Sequence, residues 1–250
     1  MSLPTTRRQF LTTSAAAGLI AATQPARLFA EEKSMSSPAP TAAPSANPPF
    51  LVVGMVVFDG FELLDVFGPL EMFGLLRDRV RITLLAEKAG PVRSGAGPVV
   101  IADRALSDPG PLDVLMIPGG GGTRREVNNP AFVDALKQLG TATPHVASIC
   151  TGSAVLAKTG LLDGRSATSN KRAFAWASSQ GPDVKWVSTA RWIEDGKFYT
   201  SSGISAGMDM ALGLIEKLFD RATAVGVAQS AEYEWHTDKT WDPFAKLNGL

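Results

Sequence analysis

Short, almost uninterrupted apolar runs alternate along this chain with longer stretches in which apolar residues recur at helical spacing. Residues 50–58 are nearly all apolar and rich in valine, as in a central parallel strand covered on both faces. Asp59-Gly60 turns the chain, and residues 61–76 read as a helix that Gly68-Pro69 should interrupt. Strands are predicted over 80–86 and 113–117, with a hairpin-like excursion at 92–95 and 99–102 between them. Asn129-Pro130 should cap a helix over 131–139. The next apolar run ends in Cys150, and a helix over 151–158, closed by Gly160, follows at once. Beyond it come a short strand at 167–169, a helix over 171–179, a strand at 184–187, and two extended arms around Asp195-Gly196 that read as a hairpin. Helices over 206–219 and 221–232 precede a tail, 233–250, expected to be irregular.

Strands alternating with helices imply a mostly parallel sheet covered on both sides, and such sheets bind ligands beyond the carboxyl ends of their strands. Three features fall at that edge. Asp65 is an acid set among Leu64, Val66 and Phe67, costly there unless it has a partner. The run Gly119-Gly120-Gly121-Gly122 follows a strand, where backbone N–H groups can approach a ligand closely; a plain flexible loop is the alternative. It matches neither a P-loop nor a dinucleotide fingerprint. Cys150, the one cysteine, sits at a sharp strand-to-helix turn. A thiol exposed there, above a helix N-terminus, should have a lowered pKa and act as a nucleophile. The competing reading is a buried core cysteine. His145 lies five residues upstream on an extended run, roughly 16 Å away at about 3.3 Å per residue, and is read as structural. His236 lies in the tail and would reach the site only by folding back or across a dimer. Asp209 and Glu216 read as ordinary polar positions of the long helix.

Composition narrows the function classes. The 250 residues are 45% hydrophobic and 19% charged, with 24 basic and 24 acidic side chains, so nothing marks a nucleic-acid partner. One cysteine and two histidines leave no disulfide and no ordinary zinc site. Arg7-Arg8 before the alanine-rich stretch 15–22 looks like a twin-arginine export signal over 1–30, which implies an extracytoplasmic, periplasmic location. The apolar part is too short for a permanent membrane anchor. Residues 31–49, rich in Pro, Ala and Ser, read as a flexible linker.

Four stretches together resemble the ThiJ/PfpI superfamily, the class I glutamine-amidotransferase-like proteins. They are Val57-Phe58-Asp59-Gly60-Phe61-Glu62-Leu63-Leu64-Asp65-Val66-Phe67-Gly68-Pro69, Ile117-Pro118-Gly119-Gly120, Ser148-Ile149-Cys150-Thr151-Gly152-Ser153 and the run from Thr200 to Asp209 containing Gly203-Ile204. Cys-Thr-Gly-Ser and Leu-Asp-x-x-Gly-Pro are similar to the isonitrile hydratase branch, and the same core serves as the sensor half of AraC-type regulators. The resemblance implies a domain over 50–232 with a flavodoxin-like three-layer α/β sandwich, a mostly parallel central sheet and a nucleophile elbow. It implies a homodimer acting on a small molecule, with no cofactor and no metal. It implies Cys150 as nucleophile and Asp65 as acid/base, with Gly119, Gly120, Thr151, Gly203 and Ile204 in the oxyanion-hole and substrate region. One departure stands out: the branch pattern Ala-Thr-Thr-His-Trp is replaced here by Ala167-Thr168-Ser169-Asn170-Lys171, without imidazole or indole.

The function expected on these grounds is the hydration of an isonitrile to an N-substituted formamide. Redox or electrophile sensing, or deglycase-like chemistry, is the second reading, because an exposed low-pKa thiol beside an acid oxidises readily. A regulator's sensor domain is third, since only eighteen residues follow Glu232 and a DNA-binding helix pair would not fit.

Overall fold

A computed structural model describes residues 50–250. The predicted export signal (1–30) and the predicted linker (31–49) lie outside the described residues. In chain order the strands are β1 (Leu51–Val56), β2 (Val80–Ala86), β3 (Gly90–Arg93), β4 (Val99–Ala102), β5 (Arg104–Ala105), β6 (Val114–Ile117), β7 (His145–Ser148), β8 (Ser166–Ala167), β9 (Lys185–Trp186), β10 (Trp192–Asp195) and β11 (Phe198–Ser201). The helices are α1 (Leu63–Gly74), α2 (Thr123–Glu126), α3 (Pro130–Ala142), α4 (Gly152–Lys158), α5 (Phe174–Ser178), α6 (Ala206–Leu218), α7 (Arg221–Ser230) and α8 (Pro243–Leu247).

Seven strands form the main sheet in the order β10-β11-β7-β6-β1-β2-β5, parallel throughout except for β10. The strands at its centre are the valine-rich runs: Val53, Met55 and Val56 of β1 and all of β6 are buried. Such strands can be uniformly apolar because helices cover both faces. α1, α6 and α7 pack together on one face, and α2, α3, α4 and α5 pack together on the other. This is the expected three-layer α/β sandwich.

Four local expectations change. α1 runs unbroken through Pro69. A proline at that place removes one helical bond, the one that would have ended on the Asp65 carbonyl, and the packed helix tolerates the loss. The hairpin turn is Gly196-Lys197 rather than Asp195-Gly196, because Asp195 still pairs with Phe198; Gly196 supplies the positive φ of 63°. The two-residue β5 and the single-turn α2 are too short to leave a periodic signal.

The fourth change is the tail, which is folded onto the domain. Lys239 O accepts from the N–H groups of Arg191 and Trp192, Asp242 N–H donates to Thr189 O, and Asp242 caps α8 by accepting from Phe244 N–H. Its anchor is Asp209, read from sequence as an ordinary helix residue but fully buried here. Arg191 donates to Asp209 Oδ2 through Nε at 2.7 Å and approaches it through Nη2 at 2.6 Å. Oδ1 accepts from Tyr233 Oη (3.0 Å) and from the His236 N–H (2.9 Å). Glu216, by contrast, is a surface residue paired with Arg221, as expected. Removing one partner of a buried pair strands the other charge. Asp209→Ala is therefore expected to destabilise the fold by ~3 kcal/mol and to free the tail, read as a lower urea midpoint and as new proteolytic cleavage beyond residue 232.

Candidate active site

Because β1, β6, β7 and β11 are parallel, their carboxyl ends open at one edge of the sheet. β7 ends there, and two residues later Cys150 takes a φ of 56°. A left-handed backbone at a non-glycine residue costs about 1 kcal/mol or more and persists only where the surroundings hold it. Here the Cys150 N–H donates to the carbonyls of Ser201 (3.2 Å) and Ser202 (3.3 Å). Its own carbonyl accepts from Ser153 Oγ (3.0 Å) and Ser169 Oγ (3.1 Å). Gly152 follows because a Cβ there would lie 2.3 Å from Ile117 O. Ser153 lies in the first turn of α4, while Ser169 arrives from a distant loop.

α1 delivers Asp65, fully buried, to the sulfur's other side. Its Oδ2 accepts from the Gly119 N–H at 2.9 Å, its Oδ1 has no hydrogen-bond partner among the described residues, and the Cys150 thiol lies near enough to lower its pKa. Burial, assisted by nearby Glu62, lifts the carboxyl from 3.8 to about 7 against the opposing pull of the Gly119 and Cys150 hydrogen bonds. Gly119 must be glycine: a Cβ would meet Thr151 N at 2.6 Å and Asp65 Oδ2 at 2.8 Å.

Two expectations are corrected at this point. The thiol is 6% exposed rather than standing clear of the sheet. Burial first, and then the Asp65 charge, push its pKa well above the usual thiol range; hydrogen bonds from the Thr151 N–H, the Asn170 side chain and the Thr151 side chain oppose this without cancelling it. The helix N-terminus is outweighed by desolvation. The glycine run is also not a free oxyanion hole. Gly119 N–H is spent on Asp65, and Gly120 N–H donates to Thr151 Oγ1 at 3.1 Å. The donors left beside the sulfur are the Thr151 N–H and the Asn170 amide.

Asn170 is the residue whose role sequence reasoning missed. It was legible only as a departure from the imidazole of the family pattern. Its Oδ1 accepts from Ala173 N–H (3.0 Å), which aims the amide nitrogen at the thiol and over Gly203. A Cβ on Gly203 would lie 1.9 Å from Asn170 Nδ2 and 3.1 Å from Cys150 Sγ. Gly203→Ala is thus expected to displace Asn170 and lower the rate of Cys150 alkylation by iodoacetamide about tenfold, the size of one lost charge-assisted hydrogen bond. An unchanged rate would detach Asn170 from the thiol. Lys171, which stands in the indole's place, is buried and turned to structure: Nζ donates to Thr168 Oγ1 (2.7 Å) and Ala190 O (2.5 Å), and burial lowers it to about 8.

Above the thiol lies an open cavity of about 570 Å³, lined by Glu62, Arg124, Cys150, Asn170, Arg172 and Trp176 among others, with Gly120, Thr151 and Ile204 at its walls. Arg124 lies flat on Trp176, its Cζ 3.9 Å from the ring centroid. A second cavity, about 460 Å³, shares Asn170, Arg172 and Ile204 and is closed by Phe244 and Asn248 of the tail. His145 is at the opposite end of β7 and lines neither cavity. His236 does fold back, but onto Asp209, and it too lines neither. Among the described residues no cluster of three or more His, Cys, Asp or Glu could hold a metal ion, and no helix is long and apolar enough to cross a membrane.

The chain is similar to known proteins in sequence and fold. The DJ-1/PfpI family pattern matches residues 52–217. Isonitrile hydratase of Pseudomonas putida is 32% identical over 185 residues, which cover 73% of this chain and 78% of the relative. The HTH-type transcriptional regulator CdhR of Pseudomonas aeruginosa is 34% identical over 178 residues, covering 70% of this chain and 52% of the regulator. Among solved structures, a ThiJ/PfpI family protein from Pseudomonas syringae superposes with a TM-score of 0.66 at 28% identity, over 79% of this chain and 84% of its own.

Proposed function

Since this chain belongs to the DJ-1/PfpI family, and a family relative is an isonitrile hydratase, we propose that it is a cysteine-dependent enzyme that hydrates isonitriles to N-substituted formamides. The observation that carries this reading is the Asp65 carboxyl, protonatable near neutrality, held against the Cys150 thiol beneath an open cavity.

The chemistry suits that pair. An isonitrile carbon becomes electrophilic once protonated. Asp65 delivers a proton to the terminal carbon as the Cys150 sulfur bonds to it, and the thiol proton passes to the carboxylate, so the acid is restored. The product is a thioimidate, Cys–S–CH=N–R. Water adds to its carbon, the C–S bond breaks, the sulfur regains a proton and the formamide leaves. The Thr151 N–H and the Asn170 amide lie where negative charge returns to sulfur as it departs. A thiol kept protonated at rest fits addition coupled to proton transfer. It does not fit a redox sensor, which needs an exposed, low-pKa thiolate.

The test is conversion of an alkyl isonitrile such as cyclohexyl isocyanide, followed by the appearance of N-cyclohexylformamide. One formamide formed per isonitrile consumed supports the reading. Consumption of methylglyoxal without any isonitrile turnover would move the protein to deglycase-like chemistry. The proposal places the reaction outside the cytoplasm, supported by the Arg7-Arg8 pattern. N-terminal sequencing of the protein recovered from an extracytoplasmic fraction should begin near residue 31.

A further inference from the structure

The cavity above Cys150 carries a charge pattern that hydration of a neutral isonitrile does not use. Arg124 and Arg172 both line it and, among the described residues, neither has a carboxylate partner; Arg77, Arg79, Arg81 and Arg93, which line no part of it, also have none, and Arg104, Arg125, Arg165, Arg191 and Arg221 are paired. Arg124 is fixed in place. It is stacked on Trp176, and Nη1 donates to Thr123 Oγ1 at 3.1 Å and to Gly120 O at 3.5 Å, while Nε and Nη2 make no hydrogen bond among the described residues. Arg172 lines both cavities, two residues beyond Asn170. Glu62 is the acid on the same wall; Asp65 lies behind the sulfur and does not line the space, and Lys171 lines the second cavity with its amine bonded to Thr168 and Ala190.

The sum is two positive charges against one negative charge around the space beside a nucleophile, with Arg124 held by its stack on Trp176 and Arg172 exposed. A guanidinium fork matches the two oxygens of a carboxylate. A net charge of one matches a monoanion better than a dianionic phosphate ester, which Glu62 would repel.

Resting on the reading that the cavity receives an isonitrile, we propose that the physiological substrate carries a carboxylate, held by Arg124 and Arg172 while the isonitrile carbon meets Cys150. Arg124 and Arg172 are then the specificity-determining residues, and neutral isonitriles are poor substrates.

Binding to the full chain is measured first, with phenylacetate, phenylacetamide and phenyl phosphate as probes in calorimetric titrations. Phenylacetate is expected to bind about tenfold to a hundredfold more tightly than phenylacetamide, the range of one or two charge-assisted hydrogen bonds. That preference should shrink in Arg124→Met, in Arg172→Met and at high salt. Equal binding of the two, no binding of either, or tighter binding of phenyl phosphate would overturn the carboxylate assignment. Turnover is measured second, as the ratio of kcat/KM for 3-isocyanopropanoate to that for 3-isocyanopropanamide. The ratio is expected to exceed ten in the wild type and to fall in both variants. Turnover of both compounds at equal kcat/KM would keep the hydratase reading and remove the carboxylate. Selective binding of phenylacetate with turnover of neither isonitrile would keep the anion site and remove the hydratase reading.

Discussion

Cys150→Ala is expected to lose isonitrile hydration altogether, a fall on the order of 10⁴–10⁶ in kcat, as when a covalent nucleophile is removed. Asp65 remains in that variant and can still protonate an isonitrile, but no group is left to form the thioimidate. The fold should survive. The side chain is small, and the turn is held by main-chain bonds to Ser201 and Ser202 and by the Ser153 and Ser169 hydroxyls, none of which involves sulfur. Formamide production and the thermal midpoint are read together. A variant that unfolds near the wild-type temperature and makes no formamide supports covalent catalysis; one that keeps a tenth of the wild-type rate would rule it out.

Asp65→Asn separates catalysis from stability. The amide cannot deliver a proton, so kcat should fall about 10²–10⁴-fold, the usual worth of a positioned general acid. Its oxygen can still accept from the Gly119 N–H, so the loop should stay in place. The pH behaviour has a definite sign. The carboxyl titrates at 3.8 when solvated and at about 7 when folded, so between those values the folded state holds a proton that the unfolded chain has released. Stability from this group is therefore complete below about pH 4 and is lost as pH rises through 7, by up to ~4 kcal/mol at alkaline pH. The asparagine variant should lack this loss, and so be more stable than the wild type at pH 9 while nearly matching it at pH 4. Urea unfolding at both values checks it. A wild type that gains stability on the variant as pH rises would mean that Asp65 is not held protonated by burial. Wild-type kcat/KM should likewise decline above about pH 7, where the proton to be delivered is gone.

Both predictions concern a pair that no local pattern joins, since 85 positions separate Asp65 from Cys150. What the chain itself determined was the layer order. Valine-rich runs such as Val53–Val56 can satisfy themselves only inside a sheet covered on both faces, and alternation with amphipathic segments makes that sheet parallel. Parallel strands put all their carboxyl ends on one side, so Asp65, the glycine run and Cys150 could be placed at one edge before any coordinate was known. Cys150 and Asp65 are legible for that reason, and so is the fold.

The tertiary structure decided the electrostatics and the wiring. A helix N-terminus at Cys150 is visible in sequence and argues for a low thiol pKa. Desolvation and a carboxyl arriving from α1 reverse that, and both depend on packing rather than on neighbours in the chain. The glycine N–H groups were readable as donors but not their acceptors, and Gly119 proves to position the acid. Asp209 looks like any helix carboxylate until Arg191, Tyr233 and His236 converge on it. Asn170 and the cavity-lining Arg124 and Arg172, without carboxylate partners among the described residues, carry no periodicity and no motif. Their meaning comes from which cavity they line, and a cavity exists only once distant segments have packed.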